Sequence, residues 1–135
     1  MPKIEVFLLH SNELNGIVPS FIGNLSLLKN LTLAYNSLAQ GVIPHELGNL
    51  SRLQHLWMTD CNLVEEIPES LGIIMDTVYL DLSQNDQLTS RIPNKLMVLS
   101  NMTNLLLFKN NLSGSITGNI NNLKSLVNLD RQSMS

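Results

Sequence analysis

Leu28-Lys29-Asn30-Leu31-Thr32-Leu33-Ala34-Tyr35-Asn36-Ser37-Leu38 spells L-x-x-L-x-L-x-x-N-x-L, and the phrase returns along the whole chain. Its asparagine slot is filled by Asn12, Asn36, Cys61, Asn85 and Asn110, at separations of 24, 25, 24 and 25 residues. A second phrase keeps step with it: Val18-Pro19, Ile43-Pro44, Ile67-Pro68, Ile92-Pro93, then Ile116-Thr117, where the proline is lost. Two independent markers holding one period define a solenoid, in which each unit stacks on the one before.

Within each unit the L-x-L stretch alternates, the period of a strand with one buried face. Its inward members are Phe7 and Leu9, Leu31 and Leu33, Leu56 and Met58, Leu80 and Leu82, Leu105 and Leu107. The return path adds Ile22 and Leu25, Leu47 and Leu50, Leu71 and Ile74, Leu96 and Leu99, Ile120 and Leu123. Each of these is worth roughly 1.5–3 kcal/mol when buried, and no unit covers its own apolar face, so stability comes from stacking. The chain turns at the asparagine slot, where a buried amide satisfies backbone groups that no ladder reaches. Asn12, Asn36, Asn85 and Asn110, with the Cys61 thiol as a small buried donor, are expected to form a structural ladder. Glycines fall where the path tightens (Gly16, Gly41, Gly114; Gly23, Gly48, Gly72), and the prolines suit an irregular side that needs no ladder donor.

Period and pattern are those of leucine-rich repeats. The expected fold is an α/β solenoid, a right-handed superhelix with a concave parallel β-sheet and an irregular, 3-10 convex side. Residues 1–135 read as a single array of about five full repeats and part of a sixth.

The bulk properties narrow the function. An apolar content of 44% is ample for a core, and a formal charge of −3 with no Lys/Arg cluster argues against nucleic acid. No run of about 18 apolar residues spans a membrane, and Met1-Pro2-Lys3-Ile4 enters the repeat with no visible leader. One cysteine, Cys61, forms no internal disulfide. His55, Asp60 and Cys61 lie close in sequence, but the register sends Cys61 inward and His55 outward, against a nucleophile–base pair. The histidines fall in different units, without metal-ligand spacing, and no nucleotide-binding motif occurs. No enzyme, cofactor or metal is expected.

The spelling N-x-L-x-G-x-I-P-x-x-L-G-N-L, nearly whole from Asn36 to Leu50, resembles the plant-type leucine-rich repeat over about residues 4–129. Residues 31–72 resemble ectodomain repeats of plant receptor kinases of the HAESA-like group. That resemblance implies a secreted-side, non-catalytic module that recognises a secreted peptide or protein ligand on its inner surface and recruits a co-receptor kinase. It places the parent family on the extracellular face of the plasma membrane, with the kinase elsewhere in the parent protein. The chain departs from the family in lacking cysteine-paired caps, a membrane helix and the Arg-x-Arg that holds a peptide's C-terminal carboxylate. Arg131 falls where the sixth strand should carry its second leucine. The reading is therefore of a fragment of such an array. Inhibition of secreted cell-wall-degrading enzymes, as by polygalacturonase inhibitors, and an inert truncated fragment are the alternatives. Apolar stacking faces around 4–9 and 123–129 would favour self-association.

Residues beside the inward leucines face outward: Val6, Leu8, His10, Ser11; Asn30, Thr32, Ala34, Tyr35; His55, Trp57, Thr59, Asp60; Tyr79, Asp81, Ser83, Gln84; Asn104, Leu106, Phe108, Lys109. Aromatics with a polar rim are the composition of a recognition patch, and Tyr35, His55, Trp57, Asp60, Tyr79, Asp81, Phe108 and Lys109 are its candidate ligand-binding residues. The competing reading has the aromatics packing on one another across strands. Five N-x-S/T sequons begin at Asn24, Asn30, Asn49, Asn101 and Asn111, candidates for glycosylation in a secreted chain.

Overall fold

The computed structural model describes residues 3–114, Leu123 and the strand Asn128–Asp130. The readings of Ile116-Thr117, Ile120 and Arg131 lie outside the described residues.

Six short strands run parallel in one sheet: β1 (Val6–Leu8), β2 (Asn30–Thr32), β4 (His55–Trp57), β6 (Tyr79–Asp81), β8 (Asn104–Leu106) and β9 (Asn128–Asp130). Their order along the sheet is their order in the chain, as a coil wound in one direction requires. Phe7, Leu31, Leu56, Leu80, Leu105 and Leu129 stand opposite one another in register. The expected inward residues of β2, β4, β6 and β8 are buried, together with Leu33, Met58, Leu82 and Leu107 just beyond them. Phe7 and Leu9 are partly buried against the same core.

After Pro19, Pro44, Pro68 and Pro93 the chain makes one 3-10 turn each: Ser20–Asn24, His45–Asn49, Glu69–Ile73 and Asn94–Val98. Pro19, Pro44, Pro68 and Pro93 are the residues that precede them, and each carbonyl accepts the first bond of its turn, from Ile22, Leu47, Leu71 and Leu96. A proline donates nothing there and is asked only to accept. Successive turns stack closely enough that a Cβ on Gly48 would sit 2.7 Å from the Ser70 carbonyl oxygen.

A second sheet, absent from the sequence reading, lies between the first sheet and the turns along the chain. Its strands are β3 (Gly41–Val42), β5 (Leu63–Glu66) and β7 (Gln87–Thr89), again parallel. The side expected to be irregular is thus partly laddered. One apolar core runs through all the units, from Val18 and Ile22 to Leu112 and Leu123.

The asparagine slot binds each turn to its neighbours. Asn85 Oδ1 accepts from the Cys61 and Leu63 N–H groups at 2.9 and 3.1 Å, while its Nδ2 donates to Met58, Leu82 and Ser83 carbonyls. Asn36 makes the corresponding set with Asn12, Leu14, Leu9 and Leu33. Asn110 accepts from Asn85 N–H and donates to the Leu82 and Leu107 carbonyls. The Cys61 thiol donates to the Leu33 carbonyl at 3.2 Å. Asn12, at the exposed side of the array, donates to the Leu9 and His10 carbonyls. The residue just before each slot is left-handed although never glycine: Ser11, Tyr35, Asp60, Gln84 and Lys109 have φ from 51° to 58°. That conformation turns the chain out of the strand and into the slot.

Candidate functional site

The pairing register arranges the outward residues of the large sheet in rows. One row is Val6, Asn30, His55, Tyr79 and Asn104, and the next is Leu8, Thr32, Trp57, Asp81 and Leu106. Where these rows cross the first four strands they enclose a shallow hollow of ≈ 300 Å³, lined by Leu8, Asn30, Thr32, His55, Trp57 and Tyr79.

Trp57 does not stand upright in it. Its Nε1–H donates to Thr59 Oγ1, two residues further along the chain, at 2.8 Å. The ring lies 5.1 Å from the His10 ring and meets the Tyr35 ring edge-on at 5.8 Å. An indole on β4 therefore reaches His10, which belongs to the first unit. Between His10 and Thr59 in their row stands Ala34, which has no exposed surface; a larger side chain there would occupy the space the indole crosses. His55 and Tyr79, neighbours in one row, stack at 6.2 Å. The histidines are themselves held, His10 Nδ1 to Thr32 Oγ1 at 2.9 Å and His55 Nδ1 to Asn30 Oδ1 at 3.0 Å.

A hydrogen-bonded chain runs under the hollow and joins its two aromatic walls. From the Trp57–Thr59 bond it passes to Ser83 Oγ at 3.4 Å, and Ser83 donates through N–H and hydroxyl to Asp81 Oδ1. Tyr79 donates to the other carboxylate oxygen at 3.2 Å. Such a network fixes its members more firmly than isolated bonds would. Burial, with the Asp81 carboxylate beside it, pushes the Tyr79 hydroxyl up to about 12, so the ring stays a neutral donor.

The candidate residues separate into three places. Tyr35, His55, Trp57 and Tyr79 form or flank the hollow. Asp81 keeps its outward register but is 5% exposed, its carboxylate taken up by Ser83 and Tyr79 beneath that wall. Asp60 and Lys109 lie apart, in a polar groove of ≈ 490 Å³ along the asparagine slots that they share with Gln84, Asp86 and Asn62. Phe108 is half-buried further along the array and does not line the hollow. Leu8, Asn30 and Thr32, which share this face by register, also line the hollow, and His10 lies against the indole. Their signal was positional, since they share rows with the aromatics. Larger grooves lie beside the 3-10 turns, one of ≈ 650 Å³ with Glu66, Glu69 and Arg91 in its wall, but no Phe, Tyr or Trp lines them.

Cys61 is buried in the slot, and desolvation first, then Asp60 and Asp81, push its thiol up to about 12. A thiol so protonated is a poor nucleophile. Among the described residues no three His, Cys, Asp or Glu side chains converge on a metal position, and no helix is long and apolar enough to cross a membrane.

Parallel strands over a leucine core, closed at every turn by the asparagine slot, define a leucine-rich repeat solenoid. The leucine-rich-repeat family model matches residues 2–63. Receptor-like protein 52 of Arabidopsis thaliana is 42% identical over 73 residues, covering 53% of this chain and 9% of its own. The Arabidopsis receptor kinase HAESA, solved in complex with the peptide hormone IDA and the co-receptor SERK1, superposes with a TM-score of 0.89 at 41% identity. That match covers 92% of this chain and 21% of HAESA's. A TDR receptor superposes with a TM-score of 0.93 at 36% identity, over 97% of this chain and 22% of its own. The chain thus spans about a tenth of the curated relative and about a fifth of these receptor chains. It is a leucine-rich repeat protein of the plant type, resembling the ectodomains of receptor kinases.

Proposed function

We propose that the chain is a non-catalytic module of an extracellular plant receptor-like array, holding part of a secreted peptide or protein ligand on its large sheet. The observation that carries this is the hollow, with its indole and phenol walls braced from beneath by Asp81. Aromatic surface fixed before binding loses little freedom on contact and anchors recognition. HAESA, a neighbour in fold and sequence, was solved with a peptide hormone and a co-receptor, which supports a peptide as the ligand class and a co-receptor kinase as a further partner.

The dimensions set the length of the ligand. Strands lie about 4.8 Å apart, so the four whose residues surround the hollow span roughly 14 Å, and the six-stranded sheet roughly 24 Å. An extended peptide rising about 3.3 Å per residue places about four residues across the first and about seven across the second. The array in hand holds a segment of a ligand whose remainder belongs on neighbouring repeats.

Trp57 is the sole tryptophan, so its fluorescence reports directly on the hollow. Panning a displayed library of linear peptides of about seven residues should yield binders that shift this emission. Trp57→Ala should weaken the selected peptides by about 2 kcal/mol or more, roughly thirty-fold in Kd by calorimetry, with the circular dichroism of the folded array preserved. Val98→Ala, on the 3-10 side, should leave affinity unchanged. Selected peptides that bind Trp57→Ala as tightly as the parent would refute the hollow as the site.

A further inference from the structure

The five sequons are alike in sequence and unlike in geometry. Asn24-Leu25-Ser26 and Asn49-Leu50-Ser51 occupy the same register position in successive units. In each, the asparagine closes a 3-10 turn and the middle leucine is a C-cap, at φ −80°, ψ 67° and φ −80°, ψ 70°. Those angles are an inverse γ-turn, completed by the serine N–H donating to the asparagine carbonyl at 2.9 Å in both. The turn drives the leucine into the core and throws out the side chains on either side. Asn24, Ser26, Asn49 and Ser51 are all exposed, and among the described residues no hydrogen bond engages any of the four side chains.

Asn30-Leu31-Thr32 is the opposite case. It is the whole of β2, between two paired strands, and Asn30 lines the hollow with its Oδ1 bonded to His55. Thr32 is buried, and its hydroxyl is bonded to His10. A glycan there would stand in the sheet between Val6 and His55, on the wall of the hollow.

We propose that Asn24 and Asn49 carry N-linked glycans and Asn30 does not, so that sugar clothes the 3-10 side and leaves the large sheet bare. In the transfer, the asparagine amide nitrogen loses a proton and bonds to the anomeric carbon of a lipid-pyrophosphate-linked oligosaccharide. The bond from that carbon to the pyrophosphate breaks, and lipid pyrophosphate leaves. The inference rests on the extracellular part of the reading above and is independent of whether a peptide fills the hollow.

The test supplies the export itself. The full chain is secreted from cultured plant cells behind a cleavable leader, and its glycans are removed by a peptide N-glycosidase in heavy-oxygen water. Mass spectrometry of the peptides should find the heavy label at positions 24 and 49 and none at 30. Asn24→Gln and Asn49→Gln, both at exposed positions, should each remove one glycan's mass from the intact protein. Absence of label at either 24 or 49, label at 30, or an unchanged mass in either variant would overturn the assignment. Peptide binding by the deglycosylated protein, measured on the same preparation, reports separately on the hollow.

Discussion

At the scale of single residues, the asparagine slot concentrates the most consequence in the fewest atoms. Asn85 is 1% exposed and satisfies backbone groups on both its own unit and the preceding one. Asn36 does the same work for the first unit, but its partners Asn12 and Leu14 are reached by water. Each buried group left unpaired costs about 1–3 kcal/mol. Asn85→Ala should therefore lower stability by more than Asn36→Ala, and both by more than 1 kcal/mol or so, in urea melts. Cys61 is the slot where the ladder is weakest. A thiol donates to Leu33 but offers only a weak acceptor, so among the described residues no amide oxygen faces Asn36 and Leu38 as Asn85 Oδ1 faces Cys61 and Leu63. Cys61→Asn should restore that acceptor and gain about 1 kcal/mol. A less stable variant would mean the slot has shaped itself to sulfur.

At the scale of elements, the glycines separate two causes that look the same in a sequence. Gly48 and Gly72 are buried where one 3-10 turn meets the next, and an added Cβ would lie 2.7 Å from Ser70 in the first and collide with Lys95 in the second. Gly16 has open space around it but φ +78°. Gly48→Ala and Gly72→Ala should part the stacked turns at a cost of about 1–3 kcal/mol, while Gly16→Ala costs about 1–2 kcal/mol of local strain and leaves the stack intact. Amide exchange in residues 69–73 distinguishes them, rising in the Gly48 variant and not in the Gly16 variant. The sheet leucines and the proline-led turns were legible because each repeats one residue type at one register position. The second sheet was not. Gly41 against Leu63, Val64 against Gln87 and Glu65 against Leu88, the partners across its strands, share neither polarity nor size, and β5 ends on two glutamates. Nor were the left-handed positions, since Ser11, Tyr35, Asp60, Gln84 and Lys109 have no chemistry in common. The site was legible to the same depth: register placed the aromatics on one face, but the lean of Trp57 onto Thr59 and the burial of Asp81 depend on contacts between strands.

At the scale of the whole molecule, hydrogen bonding joins each unit only to the next. Bonds between units span 21 to 28 residues, as from Gly41 to Asn62 or Cys61 to Leu33, and among the described residues none reaches across two units. The wide aromatic contact from Trp57 to His10 is the exception, and it lies on the surface of the sheet. An array so coupled behaves as a row of units with interfaces, whose weakest interface is where it opens. Leu56 is 2% exposed at the middle of the six-stranded sheet. Leu56→Ala should remove about 2–5 kcal/mol there, and the loss should be local. Hydrogen exchange of the variant should rise steeply at the amides of β4 and of the strands paired to it, β2 and β6, while β8 keeps more of its protection. If every strand lost protection equally, the units would be melting as one body, and the coupling would extend well beyond adjacent coils.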